Sequence, residues 1–597
     1  MSGRAHGQIR RSQAITTWGP GALIDLPRYS GIIGGLEGWP RVDSLEEIVD
    51  IRLTRKLETM TGVSAPRLFA PPPDSNMPGQ PKLGIGFWRF PAWMVVQEAM
   101  SGDGKDRSRR LVHRRALDDK GRVDGRSVIP TRFVRACPRG HIADLDWHRY
   151  VHGPHDNCLR QLRLDERGTG GDLADLVVRC ECGNSRGMQE AAELELNPLG
   201  TCPGERPWLG LGNREACNQP SRLLIRTAAN AYFSQLMSAL SLPDHGTEIQ
   251  DVVRDLWDDL QIVDGPAEIA MMKKKPKVAA KLGGHSDEEV LAAIAQLKHG
   301  SAQERPVKAV ELDALLAVPE GFGDDVPIDL DFHARRLPDA AWRRPPLTDG
   351  IARVIQLHRL REVLALVGFT RFEAVTPDIQ GEYETDVERA ELALEPQWFP
   401  AVENRGEGIF LQLDVAAISS WLTRTAVKER LAQLVDGHTQ WADRRGSQRP
   451  FPGGPYVLLH TLSHLLLQSV AMRCGYPASS IRERIYVDHD DQRFGLMLYT
   501  ASPDAEGTLG GLVGQARHIA EHLRVALRAG GLCSNDPVCA QHSPGEGMEG
   551  RWLHGAACHG CSLIAETSCE MRNDYLDRAL VVPTLDVPGA AFFPTVL

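Results

Sequence analysis

The hydrophobic and polar positions of this chain divide it into stretches of different period. Apolar residues recur at helical spacing over 221–240, 349–367, 415–434, 456–473 and 513–527, and each stretch is predicted as a helix. The second is expected to end at Gly368 and the third at Gly437, because glycine just past the last apolar position is a common stop. Residues 245–320 read as helices joined by a basic loop, Lys-Lys-Lys-Pro-Lys at 273–277. Shorter apolar runs at 83–91, 409–414, 482–487 and 494–499 are predicted strands, the first stopped by its proline. Proline- and glycine-rich pieces at 66–82 and 444–455 are predicted loops, and Gly19-Pro20-Gly21 and 507–512 are predicted turns.

A chain of 597 residues implies several domains. With 42% hydrophobic and 24% charged residues it has the composition of a globular protein with ample core. The net charge of -10 means that any nucleic-acid contact must use a local patch rather than a global field. Aromatic residues make up only 6%, which disfavours a protein built on stacked bases. No apolar run reaches the ~18 residues of a membrane span. The first residues lack the apolar segment of a secretory signal, so a cytoplasmic location without membrane partners is expected. No Gly-x-x-x-x-Gly-Lys-Ser/Thr sequence follows the Gly-Pro-Gly turn or occurs elsewhere, which argues against a self-sufficient P-loop ATPase.

The 12 cysteines change the picture most. Near the C-terminus, Cys533 and Cys539 bracket a Ser-Asn-Asp-Pro turn, and Cys558 and Cys561 form a C-x-x-C pair. Four thiolates presented from two turns suit a tetrahedral zinc ion, with Cys569 a spare or a replacement for one of them. A disulfide set would need an oxidising compartment, and a redox C-x-x-C would need a strand-to-helix context. A second group comprises Cys137 and His141 of Cys-Pro-Arg-Gly-His, then Cys158, Cys180, Cys182, Cys202 and Cys217. The quartet Cys180, Cys182, Cys202 and Cys217 is the first choice; the rival pairs Cys137 and His141 with Cys180 and Cys182. One or two structural Zn2+ ions are expected. The fold class is therefore α+β and multidomain, with small zinc-knuckle subdomains embedded in mixed helical and sheet domains. The expected divisions are an α/β region at 1–135, a knuckle region at 136–225, a largely helical region at 226–445 and a zinc-binding domain at 446–597.

Between 105 and 139 the chain is strongly basic, including Arg109, Arg110, Arg114 and Arg115; Arg10 and Arg11 add charge nearer the start. Such a run either neutralises phosphates or forms a solvated hairpin. His460 and His464, one turn apart on a predicted helix, have metal-ligand spacing, but Thr461 stands where a zinc protease carries glutamate. A packed helix with its histidines toward a cleft is the favoured reading.

Several motifs together carry a resemblance. They are Arg10-Arg11-Ser12-Gln13 with Trp18-Gly19-Pro20-Gly21-Ala22, Cys137 to His141, 360–371, His460 to His464, 507–512, and the tail pieces at 533–539, 558–561 and 566–570. This set, spanning nearly the whole chain, resembles the DrmB family of DISARM anti-phage systems; the tail alone is similar to a module that follows helicase cores in other proteins. The resemblance implies a role beside DrmA, a helicase-like ATPase, in a complex that engages phage DNA. It implies other defence components as well, including a methyltransferase that marks host DNA, and it offers no catalytic residue to carry over. The leading expectation is a non-catalytic, zinc-stabilised partner of a DNA translocase. Alternatives are a metal-dependent nuclease using His460, His464 and acids such as Asp488 and Asp490, and an assembly hub that never touches DNA.

Overall fold

The computed structural model describes residues 9–26, 29–73, 84–98, 106–167, 171–242, 249, 252–253, 256–263, 265–298, 305–323, 326–327, 330–381, 383, 389–500, 511–545 and 550–594. Most of the predicted turn at 507–512 and much of the loop at 66–82 lie outside these residues. The chain forms two units: Met1–Ser238 with Val363–Thr376 and Tyr383–Glu403, and Ala239–Glu362 with Pro377–Glu382 and Asn404–Leu597. The segment 136–225 lies wholly in the first and 446–597 wholly in the second.

The first unit is mainly antiparallel sheet. The Gly-Pro-Gly turn connects a short helix, Gln13–Thr16, to the strand Leu23–Leu26, which pairs with Tyr29–Ile33 and through it with Phe87–Arg89. The predicted strand at 83–91 is thus present in its second half. A seven-stranded sheet runs in the order Ser185–Gly187, Leu176–Cys180, Leu162–Arg167, Asp106–His113, Trp93–Val96, Arg126–Pro130, Arg122–Val123. Its apolar face, including Val95, Leu111, Leu162, Leu164, Leu176 and Val178, packs with Trp147 and Tyr150 of the helix Trp147–His152. A small sheet of Ile142–Ala143, Phe133–Ala136 and Arg222–Ile225 carries the Cys137 turn at the end of its middle strand.

The helix expected over 221–240 is instead two strands, Arg222–Ile225 and Phe233–Leu240. In the second strand Gln235, Met237 and Ala239 are buried in alternation, a period of two that the alanines and leucines disguise as helical spacing.

Arg371 ties this unit together. It is fully buried, and its guanidinium donates to the carbonyls of Gly140 (2.9 Å), Gly21 (2.7 Å) and Ala231. One cation thus joins the N-terminal Gly-Pro-Gly turn to the Cys137–His141 turn. Burial pushes its pKa down to about 9.

The second unit is built on long strands and a central helix. Residues up to Glu362 of the 20-residue strand Ile351–Thr370, where a helix is expected over 349–367, belong to this unit and pair with Phe332–Arg336. The strand is buried on both faces almost throughout, and a fully buried strand reads as a continuous apolar run that periodicity cannot tell from a buried helix. Trp398–Leu413, Arg493–Thr500 and Ile481–Asp488 follow as antiparallel neighbours, as the short apolar runs predict.

The helix Gly454–Cys474 packs against Ile481–Asp488, Arg493–Thr500 and the helix Ile519–Gly530. It is buried all round from Gly454 to Leu467, as a helix without a polar face must be. It ends at Gly475, whose φ of +72° only glycine adopts cheaply.

The helix expected over 415–434 is two, Val415–Thr423 and Thr425–Arg445, and Gly437 lies inside the second rather than after it. A Cβ at Gly437 would stand 2.3 Å from Pro544 and 2.4 Å from the Trp552 carbonyl, so this glycine serves close packing. The stop is Gly446, at φ +63°. Helices over 266–298 enclose a separate apolar cluster, and the basic loop between them is held by Lys273 to Asp287 (2.6 Å) and Lys275 to Asp259 (2.8 Å).

Candidate metal centres

Helix Ile519–Gly530 delivers Cys533 three residues beyond its end, and the following Ser-Asn-Asp-Pro turn folds Cys539 back toward it. Arg578, fully buried, fixes that turn by donating to the Gly530 carbonyl (3.0 Å) and to Asp536 (2.5 Å). The Cys558–Cys561 turn is anchored by the buried Asp577, which accepts from Ala556 N–H (3.0 Å) and pairs with Arg430 (2.7 Å).

Four sulfurs converge: Cys533 to Cys558 at 3.4 Å, Cys539 to Cys561 at 3.8 Å and Cys558 to Cys561 at 3.8 Å. Sulfurs held ~2.3 Å from one ion at tetrahedral corners lie about 3.8 Å apart, so the quartet fits zinc with little movement. N–H groups aim at the sulfurs, from Asn535 to Cys533 (3.4 Å), from Gly560 to Cys558 (3.3 Å) and from Cys558 to Cys561 (3.3 Å). Such donors favour thiolates. Cys561 is pushed down to about 5, first by a hydrogen bond from Cys539 and further by Ser562 and the Cys558 N–H.

The first unit holds two more quartets. Cys137, His141, Cys202 and Cys217 gather their ligand atoms within 4.8 Å, as do His152, Cys158, Cys180 and Cys182. In the former, His141 Nδ1 is 3.4 Å from Cys137 Sγ while its Nε2 meets Glu215 at 2.7 Å. That carboxylate fixes the tautomer with Nδ1 free to coordinate. Cys202 is pushed down to about 4, chiefly by a hydrogen bond from Cys137 and then by His141. Gly204, at φ +67°, lets the Cys202 turn pass close under Glu215, whose carbonyl would lie 1.8 Å from an added Cβ. In the latter, Cys158 and Cys180 are 3.7 Å apart, and His152 Nε2 is 3.2 Å from Cys182 Sγ. The other nitrogen of His152 is 2.8 Å from the His148 carbonyl.

These groupings correct the expected pairings. Cys180 and Cys182 do not join Cys202 and Cys217, nor do they join Cys137 and His141. The C-x-C sits on the hairpin between Leu176–Cys180 and Ser185–Gly187, next to the helix that carries His152. Sequence spacing does not single out His152, six residues before Cys158, because a lone histidine at a helix end is commonplace.

Of the two roles expected for Cys569, a spare or a replacement in the knuckle, the structure leaves the first. Cys569 lies with His460, His464 and Glu483, apart from the four knuckle cysteines. The two histidines face no cleft: both are fully buried. Asp488 pairs with Arg493 (2.5 Å) and accepts the N–H groups of Asp490 and Asp491, a structural role at a strand end, while Asp490 is exposed.

Part of the basic run is neutralised within the chain. Arg109 pairs with Glu166 (2.6 Å), Arg110 with Glu98 (2.5 Å) and Asp124 (2.9 Å), and Arg11 with Glu46 (2.9 Å). Arg114 donates to the Arg89 carbonyl (2.8 Å), and Arg10 and Arg115 are exposed.

Two family models match the chain: a domain of unknown function (DUF8724) over residues 10–233, and the MrfA Zn-binding domain over 462–562. The second span contains the whole Cys533, Cys539, Cys558 and Cys561 quartet, and zinc is the cofactor of this domain. The DISARM protein DrmB of Bacillus paralicheniformis (strain ATCC 9945a / NCIMB 11709 / CD-2) is 31% identical over 484 residues, 79% of this chain and 84% of that protein. With that identity across most of both sequences, the chain belongs to the DrmB family.

Proposed function

We propose that this protein is a non-catalytic, zinc-stabilised component of an anti-phage system, working beside a DrmA-like helicase whose DNA path it helps to form. The observation that carries the reading is the closed character of the three cysteine-rich quartets. Each supplies four protein ligands, which leaves an ion no open position for an attacking water, so zinc there holds turns in place. Kinship with DrmB supports the defence setting, and the helicase partner is part of the proposal.

The same chain as a pure assembly hub is the second reading, and the ion pairs of Arg109 and Arg110 favour it. An arginine already paired with a carboxylate releases few counterions on meeting a phosphate.

The test uses this protein, a DrmA-like helicase and their mixture, with ATP turnover and DNA affinity measured across a salt series. Co-purification with the helicase and a change in its turnover or DNA affinity on mixing are expected. DNA cleavage by this protein alone would refute the proposal. A mixture with altered turnover but an unaltered salt slope would select the hub.

A further inference from the structure

His460 and His464, one turn apart on the central helix, face Glu483 on the neighbouring strand Ile481–Asp488 and Cys569 at the end of the turn Glu566–Ser568. Both histidines are 0% exposed, Glu483 3% and Cys569 8%. His460 Nε2 lies 2.9 Å from Glu483 Oε1 and 3.0 Å from Cys569 Sγ, and His464 Nε2 lies 3.3 Å from the same carboxylate oxygen. All four ligand atoms fall within 4.8 Å of one another.

We propose that this cluster is a further metal centre, a buried site of two histidines, one glutamate and one cysteine for a divalent ion of the zinc class. Hydrogen-bond accounting supports it. His464 Nδ1 is 2.8 Å from the Ser562 carbonyl and must donate there, so a neutral His464 turns a bare nitrogen lone pair toward a carboxylate oxygen. His460 Nε2 faces both the Glu483 carboxylate and the Cys569 sulfur, and as a single ring nitrogen it has one proton or one lone pair to offer the two of them. His460 Nδ1 has no hydrogen-bond partner, so the polar contacts of that ring are all on the cluster side. A cation at the focus resolves both conflicts at once. A divalent ion with one carboxylate, one thiolate and two neutral imidazoles is also electrically neutral, which deep burial requires.

The surrounding groups are those of a metal site. Ser463 Oγ donates to the second oxygen of Glu483, Glu570 N–H donates to Oε1 (3.2 Å), and Asn573 N–H donates to Cys569 Sγ (3.1 Å). Tetrahedral corners at zinc bond lengths lie about 3.3–3.6 Å apart, so an ion needs the closest ligand pairs to spread by roughly 0.4–0.6 Å while His464 and Glu483 already stand at the right separation. Mixed nitrogen, oxygen and sulfur donors favour zinc over magnesium or calcium, and the absence of solvent access makes the site structural. The ion would clamp the tail around Cys569 to the helix and strand of the core. Ser562 joins the site to the knuckle: its carbonyl meets His464, and its hydroxyl donates to Cys561 Sγ (3.3 Å).

The experiment is anomalous scattering at the zinc edge from crystals of the full chain purified without chelator, with zinc per chain measured on the wild type, Cys569→Ser and Glu483→Gln. A peak among the four side chains is expected, together with a peak at the four-cysteine knuckle as internal control. Each folded variant is expected to hold one ion fewer than the wild type. A knuckle peak with no density at His460 and His464, or an unchanged zinc count in both folded variants, would overturn the site in favour of a protonated His464 paired with Glu483. If the variants do not fold, the wild-type map decides alone.

Discussion

Cys558→Ser is expected to remove one zinc ion and unfold the tail of the second unit. The structure sets the size of the effect. Cys558 Sγ is central to the knuckle, 3.4 Å from Cys533 Sγ and 3.8 Å from Cys561 Sγ, and it accepts from Gly560 N–H and Asn535 Nδ2, each at 3.3 Å. A serine oxygen stands about 0.4 Å nearer its Cβ than sulfur does and is protonated at neutral pH, so it neither reaches nor charges the fourth corner. Structural zinc contributes on the order of 10 kcal/mol to folding of small sites. In this unit the tail also packs on an apolar core that includes Leu553, Leu580 and Val582, so loss of the ion is expected to cost less than that, roughly 3–4 kcal/mol, which lowers the melting midpoint of a domain of this size by about 10 °C. Calorimetry with metal analysis on the same sample is the assay, with wild-type protein stripped by a chelator as the reference. The variant is expected to hold one ion fewer than the wild type and to melt between the wild type and the fully stripped protein, which loses the ions of every quartet. A variant that kept its full zinc content and the wild-type midpoint would show that Cys558 is no ligand and would break the geometric argument for the whole quartet.

Other outcomes follow from the same geometry. Cys182→Ser and Cys217→Ser are each expected to lose one ion, and the double variant two, because the cysteines belong to different quartets; a double variant that lost only one would restore a shared site. Arg371→Met is expected to destabilise the first unit by roughly 3–6 kcal/mol, since three buried carbonyls lose their donor, and an unchanged denaturant midpoint would contradict this. Arg109→Ala with Arg110→Ala is expected to leave the salt slope of DNA binding by the helicase mixture unchanged, because both side chains are spent on Glu166, Glu98 and Asp124. Arg114→Ala with Arg115→Ala is expected to flatten that slope by roughly 0.7–0.9 per lost contact, as titration across salt concentrations would read out.

The sequence by itself determined the local chemistry. Cys533, Cys539, Cys558 and Cys561 are legible as a zinc knuckle because each pair sits on a tight turn, and a turn brings two thiolates together without help from the rest of the chain. The central helix around His460 and the two strands that follow it are legible for the same reason, since their signals lie within one element.

Tertiary structure decided everything that depends on which elements become neighbours. Ile351–Thr370 is a strand because sheet partners and packing bury both its faces, and its one-dimensional pattern fits a buried helix equally well. Gly437 reads as a helix stop until Pro544 and Trp552 are seen against it. The sorting of Cys180 and Cys182 away from Cys202 and Cys217 follows from the placement of a hairpin beside the helix bearing His152, which no spacing encodes. Cys569 leaves the knuckle for His460, His464 and Glu483 because helix, strand and tail meet only in the folded core. Arg109 and Arg110, which look free to bind phosphate, are matched with Glu166 and Glu98, one lying beyond the basic run and one before it. Charge pairing across a sheet, like metal-ligand grouping, is set by distance in space rather than along the chain.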